Sequence, residues 1–183
     1  LRDAGAKDIT IAEASLENKE FGCGTKSTYE ALNYAYLTKK YGVRLMDLNH
    51  EPFRKTGLGG FSLSISEPIL EEAGFFINVP VLKTHEQTRV TLGFKNNKGC
   101  LNAKSKSICH HRTRPLDDFV AHLGERLYPH LTLIDGIYSL ENGPMHMGKA
   151  YRENLIIAGR DMFNCDCVGS YLMGFHPAEI GHL

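Results

Sequence analysis

The feature that most constrains this chain is a largely apolar run that stops at a proline and hands over to charge. Phe75-Phe76-Ile77-Asn78-Val79-Pro80 leads into Val81-Leu82-Lys83-Thr84-His85, and a second polar group follows at Lys95-Asn96-Asn97-Lys98-Gly99. A short apolar run bounded by Gly74 and Pro80 reads as a strand covered on both faces, the pattern of a central strand in an α/β sheet. Such sheets deliver polar side chains to a crevice beyond the carboxyl ends of their strands. The expectation is therefore a ligand or metal site just after this run.

The remaining pattern fits the same class. Strands are predicted over 8–14, 43–48, 61–65, 131–136 and 154–159, where apolar residues alternate or cluster in short runs. Helices are predicted over 28–40, 67–73, 116–127 and 161–173, the clearest being 116–127 with Phe119, Val120, Leu123 and Leu127 on one stripe. Residues 49–60 and 102–114 read as loops, the second as a lid. Val90, Leu92 and Phe94 fit either a strand or one helical face, with helix the expected form. Strands alternating with helices predict a three-layer α/β sandwich with a mainly parallel or mixed sheet. The length of 183 residues fits one domain over 1–183. Leu1 is not a start methionine, and Leu1–Lys7 reads as a helix tail feeding a strand. The expectation is a fragment lacking an N-terminal element and any targeting segment.

Charge and cysteine usage narrow the function classes. Residues 83–114 hold eight lysines and arginines against the one acid Glu86, a net of +7, within a chain whose formal net charge is zero. This concentrates a positive field suited to an anion. Phe94 is the one aromatic in that segment, so no stacking platform for nucleic acid is present. No apolar run nears the roughly 18 residues of a membrane span. Five cysteines without regular spacing read as free thiols of a reducing, cytoplasmic setting, and Cys165-Asp166-Cys167 lacks the spacing of a zinc or iron–sulfur site.

Three predicted strand ends carry chemistry. Lys83 and His85, two apart in an extended segment, point the same way: an ammonium to hold a carboxylate or phosphate beside an imidazole that moves a proton or binds a metal. They are the candidate catalytic pair. A turn whose backbone satisfies His85 is the plainer alternative. Lys95, Asn96 and Gly99 would add an anion clamp, or simply form a helix terminus. Candidate metal ligands are His85, His110, His111, Asp135, Glu141 and Asp161, giving the imidazole and carboxylate mixture that suits a divalent transition ion. Asp161 also reads as an N-cap. Gly22-Cys23-Gly24-Thr25-Lys26-Ser27 looks like a loose phosphate loop, but an N-cap at Thr25 or Ser27 accounts for it more simply.

The ordered set Pro80-x-Leu82-Lys83-Thr84-His85, Lys95-Asn96-x-x-Gly99, His110 or His111, Asp135-Gly136-Ile137, Glu141, Gly143-Pro144, Asp161, Asp166 and Gly174-x-His176-Pro177 resembles the domain-of-unknown-function family numbered 362. The resemblance runs from about Ala4 to the end. It implies an uncharacterised α/β domain, often found in proteins that carry ferredoxin-type iron–sulfur modules. This chain lacks the dense cysteine motifs of such modules, so any cluster would lie in another segment or a partner. The combined expectation is a metal- or anion-binding domain, an enzyme or redox accessory acting on a small anionic substrate. The alternative is a non-catalytic domain that docks an iron–sulfur partner through the basic segment 83–114.

Overall fold

The computed structural model describes residues 1–17, 20, 22–108, 116–142 and 148–183, with the backbone alone at 72 and 108. Among these, Thr10–Glu13 (β1) and Arg44–Asp47 (β2) pair in parallel, with Glu13 opposite Asp47 at their carboxyl ends. A parallel pair needs a crossover, here two helices, Thr25–Ala31 (α1) and Ala35–Tyr41 (α2). The single helix expected over 28–40 is broken at Asn33, whose φ of 53° lies in the left-handed region. Asparagine reaches that conformation more readily than most residues. Gly42, with φ 63°, ends α2 in the same conformation.

Phe53–Leu58 (β3) and Phe61–Ser66 (β4) form an antiparallel hairpin in place of the first half of the expected loop-then-strand. Leu58 pairs with Phe61 across Gly59 and Gly60, both at positive φ, so the turn is a two-residue one that glycine enters without steric cost. A side chain at Gly59 would also strike the His122 ring. β3 was hidden because half of its residues are exposed and Arg54, Lys55, Thr56 and Gly57 interrupt any apolar pattern, whereas its partner buries Phe61, Leu63 and Ile65.

The apolar run is paired differently from expectation. Its strand is only Ile77–Asn78 (β5), and Phe75 and Val79 are exposed, so it is not a doubly covered central strand. Pro80 lacks an N–H and divides β5 from Val81–His85 (β6), which includes Lys83 and His85 rather than preceding them. β5 and β6 both lie parallel to Leu131–Glu141 (β8). The central position belongs to β8, whose other edge pairs antiparallel with Lys149–Gly159 (β9). Arg89–Val90 (β7) closes on β6. The fold is mixed α/β, with parallel and mixed sheets.

The ambiguous segment resolves into both forms: Val90 in β7, then Leu92–Asn96 (α3) and a 3-10 turn Asn97–Cys100. Part of the expected loop 102–114 is the helix Ala103–Ile108 (α4), and residues 109–115 lie outside the described set. Leu116–Arg126 (α5) and Met162–Leu172 (α6) stand as expected. One core cluster joins Met46, Leu63, Ile65, Phe94, Phe119, Val120, Leu123 and Met162; a second joins Leu82, Val90, Leu92, Ile134 and Cys165. Burying each large apolar side chain contributes about 1.5–3 kcal/mol. Phe94 packs into the space left by Gly124, where an added Cβ would sit 2.2 Å from its ring.

Candidate functional site

The carboxyl ends of β1 and β2 bring Glu13 and Asp47 side by side, and the loops beyond them tie into one polar network. Asp47 Oδ1 accepts the Thr25 hydroxyl at 2.8 Å and the Asn49 N–H at 3.0 Å. Asn49 Nδ2 donates to the Ser15 carbonyl at 3.0 Å, and Asn49 Oδ1 accepts Lys106 Nζ at 3.1 Å. Thr25 also accepts the Ser15 N–H, so the start of α1 is fastened to both strand ends. Tyr29, one turn on, donates to the Ile11 and Met46 carbonyls, and burial next to Glu13 and Asp47 pushes its phenol pKa upward.

Two lysines reach this edge from the far part of the chain. Lys83, on β6, is half-buried, and burial lowers its pKa while the Glu13 carboxylate pulls it back up. Its ammonium makes no hydrogen bond or ion pair to any described residue, and it is not sealed from solvent. Lys106, on α4, is lowered mainly by burial, with Lys98 adding to the effect and Cys100, Glu13 and Asp47 opposing it. Cys100 is buried beside this group, and burial pushes its thiol up to about 12, so it stays protonated at neutral pH. Glu13 is the carboxylate common to Lys83, Lys106, Cys100 and Tyr29. Partly desolvated ammonium groups facing carboxylates can hold an anion and exchange protons more readily than surface lysines.

The family model described as "Domain of unknown function (DUF362)" matches residues 1–171. The chain belongs to this family. It is also similar to the thylakoid-associated protein sll1697 of Synechocystis sp. (strain ATCC 27184 / PCC 6803 / Kazusa), 33% identical over 114 residues, which are 60% of this chain and 35% of that relative. The match thus spans about a third of that relative's length. No solved structure matches the chain.

The DUF362 positions expected to form one site are dispersed. Lys83 stands at the edge just described. His85 ends β6, and its Nδ1 accepts the Gln87 and Thr88 N–H groups at 3.1 and 3.3 Å, so one ring nitrogen is held by a backbone turn. Glu141 lies near Lys83's end of the sheet, one residue past Leu140, the register partner of Lys83; the adjacent Asn142 N–H donates to Thr84 Oγ1 at 3.0 Å. Asp135 accepts the Ile137 N–H at 2.9 Å within the irregular stretch of β8. Asp161 lies two residues beyond Gly159, at the opposite end of the β8–β9 hairpin from Glu141. There it caps α6, accepting the Asn164 N–H at 3.0 Å and the Tyr128 hydroxyl at 2.9 Å, contacts that hold its carboxyl below the usual range. No three of His85, Asp135, Glu141 and Asp161 come within ligand distance of a common point. His110 and His111 lie outside the described residues, as do Gly143 and Pro144.

The expected anion clamp is also divided. Lys95 is half-buried and acts on His182, whose Nδ1 lies 2.8 Å from Asp117. Asn96 Nδ2 donates to Asn78 Oδ1 at 2.7 Å. Asn78 Nδ2 in turn donates to the Gly93 carbonyl at 2.8 Å and Asn97 Oδ1 at 3.2 Å. Asp166 accepts the Gly93 and Phe94 N–H groups at 2.8 and 2.9 Å. Gly99 sits in the 3-10 turn with open space beside it. This asparagine–aspartate network joins β5, α3 and α6, with Asn78, Asn97 and Asp166 buried and Asn96 at the surface. Glu13, Asp47 and Asn49 were not anticipated. Their signal was a carboxylate at the end of each of the first two strands, and its weight depended on those strands pairing in parallel.

Proposed function

We propose that the chain binds a small anionic ligand, a carboxylate or phosphate, at the carboxyl edge of β1 and β2, with Lys83 and Lys106 as its cationic contacts. The single observation that carries this reading is Lys83: a half-buried ammonium, near Glu13, with no partner among the described residues. Burying a charge is costly unless something pairs with it, and an incoming anion would supply that pairing. Lys106, hydrogen-bonded to Asn49 at the same edge, would provide the second positive group.

In this reading the chain is an enzyme in which Lys83 and Glu13 form the proton-transfer pair. An ammonium with a lowered pKa gives up its proton more readily, and the neighbouring carboxylate keeps the charged form available. No described helix is long and apolar enough to cross a membrane.

A panel of small carboxylates and phosphates, screened by thermal shift and followed by calorimetry, tests the reading. Wild-type protein is expected to bind at least one of them saturably, and Lys83→Met to weaken that binding tenfold or more. Equal binding by wild type and Lys83→Met would overturn it.

A further inference from the structure

Just outside the lysines, the same edge carries a second set of groups. Glu17 follows β1, and Asp47 and His50 come from the end of β2 and the turn after it. His50 Nε2 stands 3.0 Å from Glu17 Oε1 and 3.8 Å from Asp47 Oδ2. One ligand atom from each residue lies within 4.8 Å of the others, the one such trio among the described residues. We infer that Glu17, Asp47 and His50 form a binding site for a divalent transition-metal ion.

Three observations support the site together. The spacing fits: with metal–ligand bonds of about 2.1 Å, neighbouring ligand atoms stand about 3.0–3.4 Å apart, so Glu17 and His50 already stand at ligand spacing, while Asp47 Oδ2, 3.8 Å from His50 Nε2, would draw closer on binding. The donor set fits: two carboxylates supply two negative charges, and an imidazole nitrogen shifts preference from magnesium or calcium toward manganese, iron, cobalt or zinc. The orientation fits: Asp47 is held through its other oxygen by the Thr25 hydroxyl and the Asn49 N–H, leaving Oδ2 turned to His50, the kind of outer support that fixes a ligating carboxylate. Three ligands from the chain would leave further coordination positions for water or for an oxygen of a bound anion.

The inference goes beyond the anion reading and meets it at Asp47 and Asn49, since Asn49 touches both Asp47 and Lys106. It does not depend on that reading. Glu17 and His50 are largely exposed, with side-chain exposures of 47% and 70%, so replacing them leaves the core undisturbed.

The test is a titration of metal-stripped full chain with Co2+, followed by visible absorption, and with Zn2+ by calorimetry. The expected result is saturation near one equivalent, with His50→Ala and Glu17→Ala each weakening binding tenfold or more. The exposed His122→Asn should bind as wild type does. No saturable binding, or the same affinity in His50→Ala as in wild type, would overturn the site. Lys83→Met, titrated in parallel, should keep its Co2+ affinity while losing the anion, so that the two readings fail separately.

Discussion

Two polar networks run through this molecule, and they differ in how completely they are satisfied. In the core, Asn78 and Asn97 bond each other, Asn78 and Asp166 both bond the backbone of α3, Asn96 joins Asn78 from the exposed side, and the Asn97 amide reaches the Leu127 carbonyl at 3.1 Å. At the carboxyl edge of β1 and β2, Glu13, Asp47 and Asn49 are tied down, but Lys83 is brought in with no hydrogen-bond or ion-pair partner among the described residues. The first network holds elements together because its members serve one another. The second leaves cationic capacity facing outward, which is the property a binding site needs.

Substitutions should separate these roles, beginning with the largest effect. Asp166→Ala leaves two buried N–H groups without an acceptor and should destabilise the fold by about 3 kcal/mol, read by urea denaturation. Any anion affinity of the folded fraction should be unchanged. Burial also pushes the Asp166 carboxyl up to about 7, against the pull of its two N–H donors. The folded chain therefore holds a proton that the unfolded chain, with an aspartate near 3.9, has released. Between those values the contribution of Asp166 to stability should fall as pH rises, and an Asp166→Asn variant should lack that slope.

Lys83→Met reverses the pattern. It should leave stability unchanged or slightly raised, because it removes a partly buried charge, while lowering anion affinity tenfold or more. Binding should also fade with rising pH earlier than an ordinary lysine would allow, since burial lowers the Lys83 pKa. The smallest effect belongs to Asp161→Ala, which removes an N-cap and should cost about 1 kcal/mol with no change in ligand binding. A loss of ligand or metal binding in that variant would return Asp161 to the site.

The alternation of strands and helices was legible, and so were β1, β2, β4, α5, α6 and the capping role of Asp161, because each depends on local periodicity or a local hydrogen bond. Three features were not. β3 has large apolar residues only at its ends, Phe53 and Leu58; the Gly59-Gly60 pair between the two runs was its local signal. The break at Asn33 depends on a single residue's backbone conformation. The apolar run 75–79 resembled a central strand, yet β8 takes that place, because strand order is set by pairing between distant segments.

The candidate site was partly legible for the same reason. Lys83 was found from its place after an apolar run, but Glu13, the carboxylate that acts on it, lies 70 positions before it in the chain, and Lys106, on which Glu13 also acts, lies 23 after it. Only the fold brings them together. Asp166, equally prominent as a short motif, accepts two buried backbone N–H groups, and Asn96 donates to Asn78 from an exposed position. Residue type and spacing marked polar positions without distinguishing a satisfied group from one still able to bind.

The most direct measurement is an NMR titration of the lysine side-chain resonances, with the Lys83 signal assigned through Lys83→Met, in the absence and presence of the best-binding carboxylate or phosphate. The account predicts that Lys83 loses its proton at lower pH than the exposed lysines do, and that a bound anion moves its titration upward. A Lys83 that titrates with the exposed lysines and ignores the anion would contradict it.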